Sequence, residues 1–81
     1  MTPPPDARIK EVLAGVLDLD PARIPDSFMR HDAASWDSLN HLRLVTALEE
    51  AFGIKLTMRE VGEMESFAAV RDRVRSHLNG R

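Results

Sequence analysis

The apolar positions near the start of the chain recur at helical spacing. Ile9, Val12, Leu13, Val16 and Leu17 fall at i, i+3, i+4, i+7 and i+8, one face of an amphipathic helix. Prolines are tolerated at a helix start, so the proline run puts its beginning near Pro4 to Asp6. From Asp18 to Trp36 the periodicity stops. Pro21 and Pro25 interrupt this segment, polar residues dominate it, and Asp20-Pro21 is a signal for one short turn of helix. A connection this long is unusual in a compact domain and is often functional. It carries Leu19, Ile24, Phe28, Met29 and Trp36, side chains expected to pin it to the core.

The periodicity resumes in a second helix from Ser38 to Phe52, with Gly53 as its C-terminal cap. Ile54 to Leu56 reads as a short extended connection. A brief helix follows over Met58 to Met64, with Thr57 as its N-cap and Gly62 weakening it. Ser66 caps the last helix, whose buried stripe is Phe67, Val70, Val74 and Leu78 and whose end is marked by Gly80. No alternating strand pattern, repeat or low-complexity tract occurs. The predicted fold is all-α: a small bundle of three main helices plus one short helix, with a long loop between the first two helices. It is expected to form a single domain over residues 1–81, with 1–5 a flexible N-terminus.

The second helix has two faces to explain. Each residue turns about 100° around the axis. With Leu44 at the centre of the core face, Val45, Ala47, Leu48, Ala51 and Phe52 fall beside it. Leu39, Leu42 and Thr46 fall on the far side, with Arg43, Glu49 and Glu50 among or beside them. Either these leucines pack beneath the long loop, or they form the apolar centre of a docking face rimmed by charge. His41 lies at the edge of the core face, where packing or a hydrogen bond to the loop is expected. Trp36 is expected to anchor the loop, and Met29, Met58 and Met64 to fill apolar gaps.

Composition narrows the function. The chain is 43% hydrophobic and 30% charged, which argues against disorder. Eighty-one residues bury only a modest core, easier to reconcile with a carrier or docking module than with a deep, dry catalytic pocket. The absence of cysteine excludes disulfides, thiolate catalysis by the chain itself and cysteine-based metal sites. His31, His41 and His77 have no metal-ligand spacing. No acid–base pair or activated nucleophile is visible, so the chain is not expected to be an enzyme. Net charge is −2, and only the tail from Phe67 is basic, which leaves no dominant face for nucleic acid. No apolar run is long enough for membrane insertion and no secretory signal opens the chain, so the expected location is cytoplasmic.

At the start of the second helix stands Trp36-Asp37-Ser38-Leu39. Asp and Ser both serve as N-caps, accepting from free backbone N–H groups. The same position suits a phosphate on the serine, through those N–H groups and the helix dipole. Local pattern leaves the two open.

The chain resembles the acyl carrier protein family over nearly its whole length. The resemblance centres on Trp36-Asp37-Ser38-Leu39-Asn40-His41 and on Leu44-Val45-Thr46-Ala47-Leu48-Glu49-Glu50-Ala51-Phe52-Gly53-Ile54. It implies that Ser38 receives 4'-phosphopantetheine from coenzyme A through a separate phosphopantetheinyl transferase. It also implies that the arm's thiol carries an acyl or related intermediate as a thioester. The implied partners are that transferase, an acyl-loading or adenylating enzyme and a downstream synthase or transferase. They would be served by a monomeric carrier acting as cosubstrate. The family's docking surface maps here onto Asp37, Leu39, Leu42, Arg43, Thr46 and Glu50, with Glu63 on the short helix. Ala34-Ser35-Trp36, Asn40 and Arg43 depart from the fatty-acid type, where a glycine-containing approach and acidic residues are usual. The pattern is similar to discrete carriers of specialised pathways in fatty acid, polyketide or other secondary metabolism. The alternative is an unmodified helical adaptor in which Ser38 is only a cap.

Overall fold

The computed structural model describes residues 5–80. The first four residues of the expected flexible N-terminus therefore lie outside the described residues. Four α-helices follow in order: α1 (Asp6–Leu17), α2 (Ser38–Phe52), α3 (Met58–Glu63) and α4 (Phe67–Asn79). Among the described residues there is no strand, only one isolated bridge, and no helix is long and apolar enough to cross a membrane.

α1 starts one residue after Pro5, whose carbonyl accepts the first helical bond from Ile9 N–H at 2.9 Å. It stops at Asp18, which takes the left-handed conformation (φ 59°) and returns its N–H to the Ala14 carbonyl. Aspartate is among the few residues apart from glycine that enter this region readily. Ile9, Leu13 and Leu17 of the predicted stripe are fully buried, while Val12 and Val16 are half-buried at its edge. They meet Leu44 and Leu48 of α2 and Phe67, Val70 and Val74 of α4 in one core. Two polar contacts clamp α1 from outside. Arg75 of α4 donates to both Asp6 carboxylate oxygens at 2.8 Å, and Lys10 spans the Phe67 ring (5.1 Å) to reach Asp26 at 2.8 Å. That lysine hydrogen bond holds the Asp26 carboxyl below its usual pKa.

The long loop is well organised. The expected turn forms at Pro21–Arg23, capped by Asp20, which accepts from Ala22 N–H at 2.9 Å. A second 3-10 turn, Arg30–Asp32, was not expected; Asp32 accepts from Met29 N–H at 2.9 Å and closes it. Between these turns the loop pairs with the start of α4. Phe67 N–H donates to Phe28 O, and Arg30 N–H to Glu65 O, both at 2.9 Å. This antiparallel bridge, Met29 opposite Ser66, corrects one expectation. Side chains alternate along extended backbone, so Phe28 turns into the core (6% exposed) and Met29 turns out (39%).

Two further corrections concern apolar residues. Met58 opens α3 and is 80% exposed, whereas Met64, which ends α3 as its C-cap, is fully buried. Ala47 and Ala51 were placed on the core face of α2. They instead line, with Val12, Gly15 and Val16 of α1, an open groove of 540 Å³, and Ala51 is exposed. α3 is held at its start. Thr57 and Glu60 cap each other at 3.0 and 3.1 Å, and Glu60 also meets His77 of α4 at 2.8 Å. The Thr57 N–H bond is the main cause of a lowered Glu60 pKa, with His77 adding to it against the effect of burial.

Candidate functional site

Register assigns the N-cap at the start of α2. Asp37, in extended backbone (φ −92°, ψ −176°), is the N-cap, and its carboxylate accepts from Asn40 N–H at 2.8 Å. Its carbonyl accepts the first helical bond, from His41 N–H, also at 2.8 Å. Ser38 is therefore the first residue of the helix proper. Its side chain is exposed and makes no hydrogen bond among the described residues. The first backbone N–H groups of α2 have no intrahelical acceptor, and the positive end of the helix dipole lies there.

A buried relay holds this end in place. Trp36 is 3% exposed and stacks on Phe28, with ring centroids 6.1 Å apart. Its indole N–H donates to His41 Nδ1 at 2.9 Å, and His41 Nε2 lies 2.7 Å from the Val61 carbonyl of α3. Indole can only donate, so Nδ1 accepts and Nε2 carries the proton that goes to Val61. His41, 6% exposed, thus joins loop, α2 and α3 through one neutral tautomer. The loop hydrogen bond expected of it is present; its reach to α3 had no signal in the sequence. On the outer side, Arg30 donates from Nε to Trp36 O at 3.1 Å and pairs with Glu65 at 3.4 Å. Asn40, which the sequence marked only as a departure, donates to Ser35 O at 2.8 Å and so closes the loop onto the helix. No buried side-chain polar atom is left unpaired among the described residues.

The remaining residues assigned from sequence divide by position. Leu39 and Leu42 are 58% and 56% exposed, so neither packs beneath the loop. Ser38, Leu42 and Thr46 follow one another at i, i+4 along α2, with Leu39 and Arg43 on an adjacent row. Thr46 returns its hydroxyl to Leu42 O at 3.3 Å. Among the described residues Arg43 reaches only the neutral Asn40 Oδ1, at 3.4 Å. Glu50 lies farther along, on the rim of the α1–α2 groove. Glu63 is on α3, loosely paired with Arg59 at 3.9 Å. Glu49, named with the far face, is structural: it accepts from Leu56 N–H at 2.9 Å and fixes the connection to α3.

A family model described as a phosphopantetheine attachment site matches residues 7–74. Among solved structures, the chain is similar to the holo acyl carrier protein from Geobacter metallireducens, determined by solution NMR. The TM-score is 0.84 and the sequence identity 24%, over 96% of this chain and 90% of that one. At that identity the likeness establishes a shared fold.

Proposed function

The chain belongs to the phosphopantetheine attachment-site family, and from that premise we propose that Ser38 is the residue that bears the arm. 4'-Phosphopantetheine is the prosthetic group, and the chain's role is that of a carrier. The observation that carries the assignment is the division of labour at the start of α2. Asp37 does the capping, and the exposed hydroxyl beside it is unengaged among the described residues.

The surroundings fit the group. A phosphodiester on Ser38 Oγ would lie at the positive end of α2, beside first-turn N–H groups that lack helical acceptors. The carboxylate nearest in sequence, Asp37, is already engaged by Asn40 N–H. When bound, the arm supplies a thiol able to hold cargo as a thioester, which a cysteine-free chain cannot supply itself. The protein's own residues do the rest. Ser38 anchors, the Trp36–His41–Val61 relay keeps the anchor's helix in register with the loop and α3, and α2 presents a surface to partners.

In this reading the chain is one domain over residues 1–81, monomeric and cytoplasmic. It serves as cosubstrate to a phosphopantetheinyl transferase, an acyl-loading or adenylating enzyme and a downstream synthase or transferase of a specialised pathway. The cargo is an acyl or related unit. Partners dock over Asp37, Leu39, Leu42, Arg43, Thr46 and Glu50, with Glu63 at the edge. The two exposed leucines among charged neighbours support that surface.

Intact-mass spectrometry tests the anchor. After incubation with coenzyme A and a broad-specificity phosphopantetheinyl transferase, the wild-type chain gains one arm and Ser38→Ala gains none. No addition to the wild type, or an arm that survives Ser38→Ala, overturns the assignment; the first result favours the adaptor.

A further inference from the structure

We infer that the partner docking on α2 presents a carboxylate to Arg43, so that the interface has mixed charge around a leucine centre. This rests on the docking surface proposed above. On a helix surface a side chain pairs with residues three or four positions away. For Arg43 these are Leu39, Asn40, Thr46 and Ala47, none of them acidic. Its guanidinium has only the Asn40 amide oxygen at 3.4 Å, and among the described residues no carboxylate is in ion-pair contact with it. Of the neighbouring arginines, Arg30 pairs with Glu65 and bonds Trp36 O, whereas Arg59 makes only a loose contact with Glu63 at 3.9 Å.

The setting makes that free cation an element of recognition. Arg43 is exposed, adjacent to Leu42 and one turn beyond Leu39, the two leucines that stand out from the surface. A partner that covers both leucines also removes water from the guanidinium. Desolvating a cation is costly unless an anion meets it, and a basic surface there would be repelled. Glu50, seven residues on, lies on the same side of the helix about 10 Å farther along the axis, and Asp37 lies at its start. The surface thus reads acid, cation with leucines, acid. The complementary partner carries a carboxylate beside an apolar depression, with basic groups to either side.

The test uses the holo protein with a photo-crosslinking residue at position 46, exposed and one turn beyond Leu42. Mass spectrometry of the crosslinked peptide identifies the partner and the contacting segment, and the purified pair is then measured by titration. Arg43→Glu should weaken binding about tenfold or more at low salt, an effect that shrinks as salt is raised. Changing the facing Asp or Glu of the partner to Lys should restore most of the loss. Binding of Arg43→Glu as tight as wild type or tighter, a contacting segment with only Lys and Arg, or crosslinks solely between copies of this chain would overturn the inference. Arm addition to Arg43→Glu is followed in parallel by intact mass. A chain that takes the arm on Ser38 but ignores the charge reversal refutes the inference alone. A wild-type chain that takes no arm refutes the carrier reading beneath it.

Discussion

One side of α2 is sealed and the other is open. On the sealed side Leu44 and Leu48 are fully buried, and His41 has both ring nitrogens engaged. On the open side Ser38 is free, and Leu39 and Leu42 each keep more than half of their surface in water (58% and 56%). The same residue type, leucine, occurs on both. What differs is whether another element of the chain covers it: α1 and α4 cover the first pair, and nothing among the described residues covers the second. Two leucines left uncovered in a chain this small are costly for solubility. That cost makes sense in a molecule whose working face must be shared with partners.

The largest effects should separate the faces outright. Leu44→Ala removes a fully buried side chain and should cost about 2–5 kcal/mol, enough to unfold much of a domain this small. Leu42→Ala should stay within about 0.5 kcal/mol. Denaturant midpoints of the two variants measure this directly. A loss above about 2 kcal/mol for Leu42→Ala would break the comparison and return that leucine to the core. A smaller effect sharpens it. His41→Phe keeps a ring of similar breadth but strands the buried Trp36 N–H and leaves the Val61 carbonyl with only the Met64 N–H, at 3.4 Å. It should cost about 1–3 kcal/mol, with the fluorescence of Trp36, the single tryptophan, shifting before global unfolding. An unchanged midpoint and spectrum would mean that the relay is incidental.

The sealed side was also the legible one. Periodicity located α1, α2 and α4, because i, i+3, i+4 spacing reports which residues a helix can bury together, and the Thr57 cap located α3. The same spacing also separated Leu39 and Leu42 from Leu44 and Leu48. Periodicity carries no information about loop backbone, so Met29 was assigned to the core although an extended segment turned it outward beside Phe28. Met58 failed for a related reason: a six-residue helix has too few turns to show which side faces in. At the candidate site, Asp37 and Ser38 are both good caps by type. Only the backbone register, with Asp37 extended and Ser38 helical, left the serine free. The His41–Val61 bond spans twenty residues of sequence and could be read only from the fold.

The smallest predicted effect concerns how α3 is kept against the sealed side. Besides the His41–Val61 bond, α3 is fixed by Glu60, which accepts from Thr57 N–H at its own start and meets His77 of α4. Bonds to its charged form lower the folded pKa of Glu60 below the ordinary 4.5, the Thr57 N–H foremost. The unfolded chain then binds a proton more readily than the folded one. The stabilisation from Glu60 is fully present above about pH 4.5 and is lost as pH falls through the lower, folded pKa. Glu60→Gln cannot titrate, so its stability should decline less than that of the wild type on acidification below pH 4.5, while at neutral pH it should be the less stable of the two. Urea midpoints taken from pH 7 downwards compare the two curves. Parallel curves would show that Glu60 is not what couples α3 to α4, and would leave the His41 relay as the principal polar tie between α3 and the sealed face.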